Sequence, residues 1–279
     1  MKTNPSTRRN RAAFTRKDPL GVVAILPLLL LVLASVLLSA RTAPARPGRN
    51  RCVNNQKEIG TAFRQFSEDH DERYPLQATT GSYIFQSGQK GRTNGAVASD
   101  SAQAWQVFQS LRPYLPAPKV LICPKDATRV GALKRVQDFD GLAGAPGVVT
   151  KASLGHPSNQ NLAVSYAPQA LADGSRPNGL LAVERNINYA TSATATNTPG
   201  APSGRRLGVY SPGAARSLYF VTGPGSQLHD LQGNILFADG SVQQATVTVL
   251  QTSLINAGTA YGWGTATSNG FGAAVFLLP

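Results

Sequence analysis

The run from Leu20 to Leu38, LGVVAILPLLLLVLASVLL, constrains this chain more than any other feature of its sequence. It contains no charged side chain and no side-chain amide. A helix needs roughly 20 apolar residues to cross the hydrocarbon core of a bilayer, which is about 30 Å thick. No other segment of the chain approaches that length. The run therefore predicts a membrane-spanning helix over residues 20–40, with Asp18 and Pro19 suited to its N-terminus.

The basic residues are concentrated on the two sides of this apolar run. Of the 27 lysines and arginines, six lie in residues 1–17 and four in residues 41–51. From residue 52 onward, 17 basic and 13 acidic residues leave a net charge of +4 and form no basic stripe suited to nucleic acid. Because the larger group of cations precedes the run, the positive-inside rule favours a cytoplasmic N-terminus. We therefore expect a single-pass protein of the inner (cytoplasmic) membrane, with membrane lipid as a partner and no nucleic acid.

This topology divides the chain into four parts. We predict a basic cytoplasmic tail or leader over residues 1–19, the transmembrane helix over 20–40, a linker over 41–51 and a periplasmic (extracytoplasmic) domain over 52–279. A removed secretory signal is the rival interpretation, because Ala43-Pro44-Ala45 resembles a small-residue cleavage site. The apolar region of such a signal spans about 7–15 residues, so the longer run favours an anchor.

The extracytoplasmic domain has the pattern of an α+β fold. Residues at helical spacing predict an amphipathic helix that ends near Glu68, with its buried face formed by Cys52, Gln56, Ile59, Phe63 and Phe66. A second, shorter helix is predicted over Ala102–Leu115. Short β-prone runs predict strands, at Val120–Cys123, Asn161–Ala167, Gly179–Val183, Ser217–Thr222 and Ala273–Leu278.

The segment Gly233–Val249 predicts a β-hairpin in an antiparallel sheet. Two β-prone runs flank Asp239-Gly240, and this dipeptide suits a tight primed turn with positive φ at both central positions. The residues from 256 to the last predicted strand, rich in Gly and Ala, give no clear pattern.

Motifs of catalysis are missing from the sequence. The chain has three histidines, His70, His156 and His229, and no HExxH, GxSxG or P-loop pattern. We therefore predict that it is not an enzyme, and an exported hydrolase is the weakest of the classes considered. One interpretation makes His229 and Asp239 an acid–base pair or metal ligands. The favoured interpretation is that Asp239 shapes the hairpin turn and His229 hydrogen-bonds a neighbouring loop.

Two further groups of residues leave alternatives open. The acidic run Glu68-Asp69-His70-Asp71-Glu72 offers oxygen ligands for Ca²⁺, but its spacing is not that of an EF-hand, and a solvated helix end is the favoured interpretation. We therefore assign no cofactor and no metal ligand. Cys52 and Cys123 lie outside any CxxC spacing, and in an exported domain they either form a disulfide or remain two buried thiols.

Several segments resemble, in the same order, those of a known group of proteins. Ala13-Phe14-Thr15, followed by Asp18 and the apolar run, is similar to the leader junction of prepilins. The segment Cys52–Gly60, with Arg73-Tyr74-Pro75 after it, resembles a segment that follows the membrane helix in that group.

Two more resemblances lie in the second half of the chain. Ile122-Cys123-Pro124-Lys125-Asp126 resembles a Cys-Pro-x-Asp element, and His229 followed after nine residues by Asp239-Gly240 is similar to a C-terminal motif. Together these segments resemble type IV pilin-like proteins. More narrowly, they resemble the type II secretion pseudopilin-like proteins of the planctomycete–verrucomicrobia group.

The resemblance implies a fold, a role and partners. The fold is a pilin-like one, with an amphipathic helix packed on an antiparallel β-sheet after the membrane helix, and the role is a pseudopilin-like subunit or accessory of a type II secretion or type IV pilus-like system. Other pseudopilin subunits and a prepilin peptidase, which would cleave between Ala13 and Phe14, are the implied partners. The resemblance also implies a disulfide between Cys52 and Cys123.

This chain departs from the group at the leader junction. Ala13 stands where the group usually has Gly, and Asp18 stands where it usually has Glu. In the group, that carboxylate is thought to pair with the N-terminal amine of a neighbouring subunit. The alternative function is therefore a membrane-tethered extracytoplasmic binding domain of pilin ancestry that does not polymerise.

Overall fold

The computed structural model describes residues 27–29, 31, 46–75, 103–139, 149–170, 172, 174, 176–189, 206–209, 211–221, 228–229, 231–261 and 274–279. The chain divides into two units, Met1–Arg46 and Pro47–Pro279. In the first unit the described residues, 27–29, 31 and Arg46, are helical. The predicted leader junction (Ala13, Phe14 and Asp18) and most of the predicted membrane helix lie outside the described residues. Within the described part of the chain, no helix has the length and apolar character needed to cross a bilayer.

The helices of the second unit begin with α1 (Arg46–Glu68), which is the longest of those described. It is followed by α2 (Ala104–Ser110), α3 (Ala132–Arg135), α4 (Pro212–Arg216) and α5 (Val247–Tyr261). Two 3₁₀ turns lie between them, at Pro118–Leu121 and Gln160–Ala163.

The described strands pair in antiparallel fashion in three sheets. In chain order they are β1 (Tyr166–Pro168), β2 (Leu180–Glu184), β3 (Ile187–Tyr189), β4 (Arg206–Val209), β5 (Leu218–Phe220), β6 (Gly233–Phe237), β7 (Val242–Ala245) and β8 (Ala274–Leu277). The largest sheet has the order β1-β2-β6-β7, while β3 pairs with β5 and β4 with β8. The predicted α+β class with an antiparallel sheet is therefore confirmed.

Helix α1 buries the face that the sequence predicts. Its five predicted inward positions are each at most 2% exposed, including the polar Gln56. The helix ends at Glu68, as expected, but residues 46–51, which the sequence assigned to the linker, form its first turns. Pro47 is compatible with this early start because proline lacks only an N–H that the first helical turn leaves unbonded.

The predicted strand at Val120–Cys123 is wrong. A 3₁₀ turn begins at Pro118 and ends at Leu121, and no strand pairing follows it. Leu121, Ile122 and Cys123 are fully buried, so the run is apolar because it lies in the core and not because it belongs to a sheet. Short apolar runs do not distinguish these two cases. In the same way, the first half of the predicted strand Asn161–Ala167 is a 3₁₀ turn, and β1 begins at Tyr166.

The predicted hairpin is present, but its turn is of another type. Gly240 has a φ of 82°, whereas Asp239 does not have a positive φ, and Gly240 N donates to Phe237 O at 2.9 Å. This is a type I turn followed by a left-handed glycine, which also matches the twist of the two strands. The second predicted run is shorter as a strand than expected, because helix α5 begins at Val247.

Strands β1, β2 and β6 of the four-stranded sheet are buried on both faces, whereas the edge strand β7 is partly exposed. Successive residues of β6 point to opposite sides: Leu236 joins the apolar cluster that contains Ile59 of α1, and Ile235 joins the cluster that contains Leu250 and Leu254 of α5. Helix α1 and helix α5 thus cover opposite faces of the sheet. This arrangement brings the first half of α1 against the ends of β2 and β6, where the polar residues described next are found.

Candidate functional site

A disulfide lies in the core among several buried polar residues. Cys52 of α1 and Cys123, which follows the 3₁₀ turn, are bonded across 71 residues of chain, with their Cα atoms 5.0 Å apart. Both are fully buried. The Asn55 amide, one turn further along α1, donates to Ile122 O at 3.1 Å and holds the same two segments together.

His229 and Glu184 lie directly beside this disulfide. His229 Nε2 is 3.5 Å from Cys123 Sγ and 3.2 Å from Glu184 Oε1. Glu184 ends β2, is fully buried and accepts a 2.7 Å hydrogen bond from the Asn234 amide of β6. One ligand atom from each of Cys52, Cys123, Glu184 and His229 falls within 4.8 Å of all the others. We call these four residues the disulfide cluster.

Arg49 contacts the other nitrogen of the His229 ring. Its Nε donates to His229 Nδ1 at 3.5 Å, so that Nε2 is the ring nitrogen that faces Glu184 and Cys123. The same guanidinium donates to Gln232 Oε1 at 2.8 Å and to His229 O at 3.3 Å. His229 itself has a φ of 50°, a left-handed conformation that these contacts maintain.

Several buried polar atoms near the cluster have no hydrogen-bond partner in the part of the chain that the structure describes. Glu184 Oε2 and Asn234 Oδ1 are two of them, and Gln56 Oε1 on α1 is a third. Gln56 is linked to this group because its amide donates to Asn234 O at 3.4 Å. A buried polar atom without a partner costs about 1–3 kcal/mol. The chain therefore keeps costly polar groups in its core at this point.

Tyr166 lies next to Glu184 on the neighbouring strand. The two residues are partners in the β1–β2 register, and Tyr166 is fully buried. Burial raises the pKa of the Tyr166 hydroxyl well above its usual value, and the charge of Glu184 raises it further. Tyr166 is therefore a neutral phenol beside the carboxylate at ordinary pH.

The element Cys123-Pro124-Lys125-Asp126 is anchored by a second polar group. Arg185, the residue after Glu184, donates from Nε to Asp126 Oδ2 at 2.6 Å and from Nη2 to Asp126 Oδ1 at 2.7 Å. The hydroxyls of Ser165 and Thr128 donate to the same carboxylate at 2.9 and 2.8 Å. Burial alone would raise the Asp126 pKa, but the Arg185 guanidinium and the two hydroxyls outweigh it and hold the pKa below its usual value.

His229 and Asp239, the two ends of the C-terminal motif, contact different parts of α1. His229 meets Arg49 near the start of the helix, whereas Asp239 O accepts from Arg64 Nη1 at 3.2 Å near its end. Asp239 Oδ1 accepts from Ser241 N at 2.8 Å and so shapes the turn. The His229 ring contacts Glu184 at a strand end and Cys123 in the segment after the 3₁₀ turn. The two residues therefore do not form an acid–base pair.

The acidic run at residues 68–72 is arranged as a helix end. Asp69 Oδ2 accepts from the Tyr114 hydroxyl at 2.6 Å, and the His70 ring stacks on Phe66 at 3.8 Å. Among the described residues, the group of three or more potential ligands at metal-binding distance is the disulfide cluster. The acidic run does not form such a group.

The sequence analysis missed Glu184, Arg185 and Asn234. A signal for the first two exists, because a Glu-Arg pair follows directly on the apolar strand GLLAV, where a buried charge needs a partner.

Comparisons with protein-family models, with curated proteins and with solved structures gave no match for this chain.

Proposed function

We propose that this chain is a pseudopilin-like subunit or accessory of a type II secretion or type IV pilus-like system. In this proposal the helix over residues 20–40 anchors it in the inner membrane, and residues 52–279 form a pilin-like head on the outer side. The role is mechanical: the apolar helix holds subunits in the bilayer and packs them side by side, while the head presents a surface to partners.

The observation that supports this proposal most is that the resembled segments of the head converge on α1. Cys52 on the helix is bonded to the Cys-Pro-x-Asp element through Cys123. The two ends of the C-terminal motif contact Arg49 and Arg64 of the same helix. These arginines are fifteen positions apart, which corresponds to about 22 Å along a helix. Sequence segments that pack against one helix can be expected to persist together in a family.

Processing of the leader gives the most direct test. The full chain is produced in a bacterial host that carries a prepilin peptidase, extracted from membranes and examined by intact-mass and N-terminal peptide mass spectrometry. The proposal predicts a new N-terminus at Phe14, carrying a methyl group. Ala13→Gly, which restores the residue usual in the group, should raise the cleaved fraction, and Ala13→Leu should abolish cleavage.

An intact N-terminus on a membrane-bound chain would instead support the tethered binding domain. The anchor itself is tested by fractionation and by protease applied to spheroplasts. We expect the chain in the membrane fraction and digestion of the head from outside, with lysed cells as the control for protease activity. A chain found dissolved, cut after Ala45, or protected from external protease would contradict the proposal.

A further inference from the structure

We propose that the disulfide cluster becomes a binding site for a zinc-like divalent cation when its disulfide is reduced. The ligands would be Cys52 Sγ, Cys123 Sγ, His229 Nε2 and Glu184 Oε1. This inference rests on the geometry of the cluster and does not depend on the proposed function.

The donor set and its spacing fit tetrahedral coordination. Zinc binds thiolate sulfur at about 2.3 Å and nitrogen or carboxylate oxygen at about 2.0–2.2 Å, so its ligand atoms stand roughly 3.3–3.8 Å apart. The four atoms of the cluster already lie within 4.8 Å of one another. They come from α1, the segment after the 3₁₀ turn, the end of β2 and the residues before β6, so the fold and not a local motif brings them together.

A second observation points to a ligand at the same place. Glu184 is fully buried, and its Oε2 has no hydrogen-bond partner among the described residues. Its Oε1 is already oriented by the Asn234 amide at 2.7 Å, which is the kind of outer hydrogen bond that holds metal-ligating carboxylates. A cation beside Glu184 would neutralise a buried carboxylate that contacts the Asn234 amide and the His229 ring.

The disulfide and the metal exclude one another. With a phosphine as reductant, the disulfide takes up two electrons and two protons, which gives two thiols, while the phosphine gains one oxygen from water and becomes the phosphine oxide. The cation then displaces the two thiol protons and binds the thiolates. A disulfide sulfur carries no charge, so the oxidised cluster lacks two of the four ligands.

Metal binding would also set the tautomer of His229. Coordination needs the lone pair of Nε2, so a neutral ring that binds the cation carries its proton on Nδ1. The contact of Arg49 Nε with Nδ1, which at 3.5 Å is at the outer limit of a hydrogen bond, would then be lost. The hydrogen bonds of the Arg49 guanidinium to Gln232 Oε1 and His229 O do not involve the ring and can remain.

Cobalt spectroscopy of the full chain tests the proposal. The untagged chain is denatured in detergent and reduced with a phosphine under argon, and the phosphine is then removed. The reduced chain is refolded with and without Zn²⁺, and an oxidised sample refolded in parallel is the control. Co²⁺ is then titrated into the reduced chain that was refolded without Zn²⁺. We expect intense visible bands of tetrahedral Co²⁺ and a thiolate charge-transfer band, both saturating at one Co²⁺ per chain and both removed by Zn²⁺. The oxidised chain should show neither.

Matched variants identify the ligands. His229→Asn and Glu184→Gln should weaken Co²⁺ binding at least about 10-fold, and Asn234→Leu, which acts through Glu184, by roughly 10–100-fold. His156→Asn, outside the cluster, should leave binding unchanged. The proposal is overturned if the refolded reduced chain gives no tetrahedral bands, or if His229→Asn and Glu184→Gln bind as the parent does. It is equally overturned if the reduced chain regains its near-UV circular dichroism neither with nor without Zn²⁺.

Discussion

Arg185 holds Asp126 through two parallel hydrogen bonds, at 2.6 and 2.7 Å, in the interior of the domain. Asp126 is fully buried, and the side chain of Arg185 is 13% exposed. Since Arg185 directly follows Glu184, the end of β2 presents one charge to the disulfide cluster and the opposite charge to the Cys-Pro-x-Asp element. The cluster and its anchor are therefore built on adjacent residues of one strand end.

Replacing Asp126 by Asn should destabilise the fold. The substitution leaves the Arg185 guanidinium without its counter-charge in a site from which water is largely excluded, and breaking a buried pair in this way costs about 3 kcal/mol. Urea unfolding of the full chain in detergent, followed by tryptophan fluorescence, measures the loss. Asp71→Asn, at an exposed turn residue just after α1, is the matched control and should change stability by less than about 0.5 kcal/mol. Equal stability of the two variants would show that the pair contributes nothing.

The same carboxylate should make stability depend on pH in the acid range. The pKa of Asp126 is lower in the folded chain than its usual value of about 3.9, so its contribution is fully present above that value. The contribution is lost as the pH falls from about 4 toward the lower folded pKa, because the unfolded chain then binds the proton first. Urea midpoints measured between neutral and acid pH should therefore converge for the parent and Asp126→Asn below about pH 4. Other carboxylates titrate in both the parent and the variant. A difference in urea midpoint between the two that stays constant with pH would therefore contradict the lowered pKa of Asp126.

The disulfide should contribute substantially to stability. Linking residues 71 apart reduces the entropy of the unfolded chain by an amount worth about 4 kcal/mol. We expect no thiol to be labelled in the denatured, unreduced chain, and we expect reduction in the presence of a chelator to lower the urea midpoint. The chelator matters because a bound metal would replace part of the lost stability. Reductant should have no effect on the Cys52→Ala, Cys123→Ala double variant, and two labelled thiols in the unreduced parent would disprove the bond.

The buried face of α1 was predictable from sequence, whereas the disulfide cluster was not. Residues at helical spacing on one helix are read directly from the chain, and each predicted position is buried. The cluster joins residues from four separate segments, and it depends on the left-handed φ of His229, which no local pattern specifies. Periodicity describes one element at a time, so it cannot indicate which strand end will meet which helix.

Two of the sequence predictions, the primed turn at Asp239-Gly240 and the strand at Val120–Cys123, are wrong for local physical reasons. The Asp239-Gly240 dipeptide suits both a primed turn and a type I turn followed by a left-handed glycine, since both place Gly where φ is positive. The run before Cys123 is apolar because it is buried, and burial alone does not require a strand. The sequence correctly indicated a glycine with positive φ in the turn and a buried segment before Cys123. It did not determine the type of the turn or the secondary structure of the buried segment.

Gly60 lies where α1 packs closely against the β6–β7 hairpin. A Cβ at this position would lie 2.8 Å from Leu236 Cδ1 and 3.3 Å from Gly240 Cα. Gly240 Cα is a main-chain atom, so this contact cannot be relieved by a change of side-chain rotamer. Replacing glycine by alanine within a helix normally stabilises it by about 1 kcal/mol. Here the overpacking, which costs about 1–3 kcal/mol, should outweigh that gain. Gly60→Ala is therefore expected to lower the free energy of unfolding, opposite to the usual effect.

Gly131→Ala is the matched control for this close approach. Gly131 precedes α3 with helical dihedral angles, φ −61° and ψ −28°, and a Cβ there would meet nothing within 4 Å among the described residues. Its stability should stay within about 0.5 kcal/mol of the parent. Urea unfolding of both variants measures the two values side by side. If Gly60→Ala were as stable as the parent or more stable, α1 would not pack against the hairpin as closely as the structure shows. The neighbouring hydrogen bond from Arg64 to Asp239 O would then also be wrong.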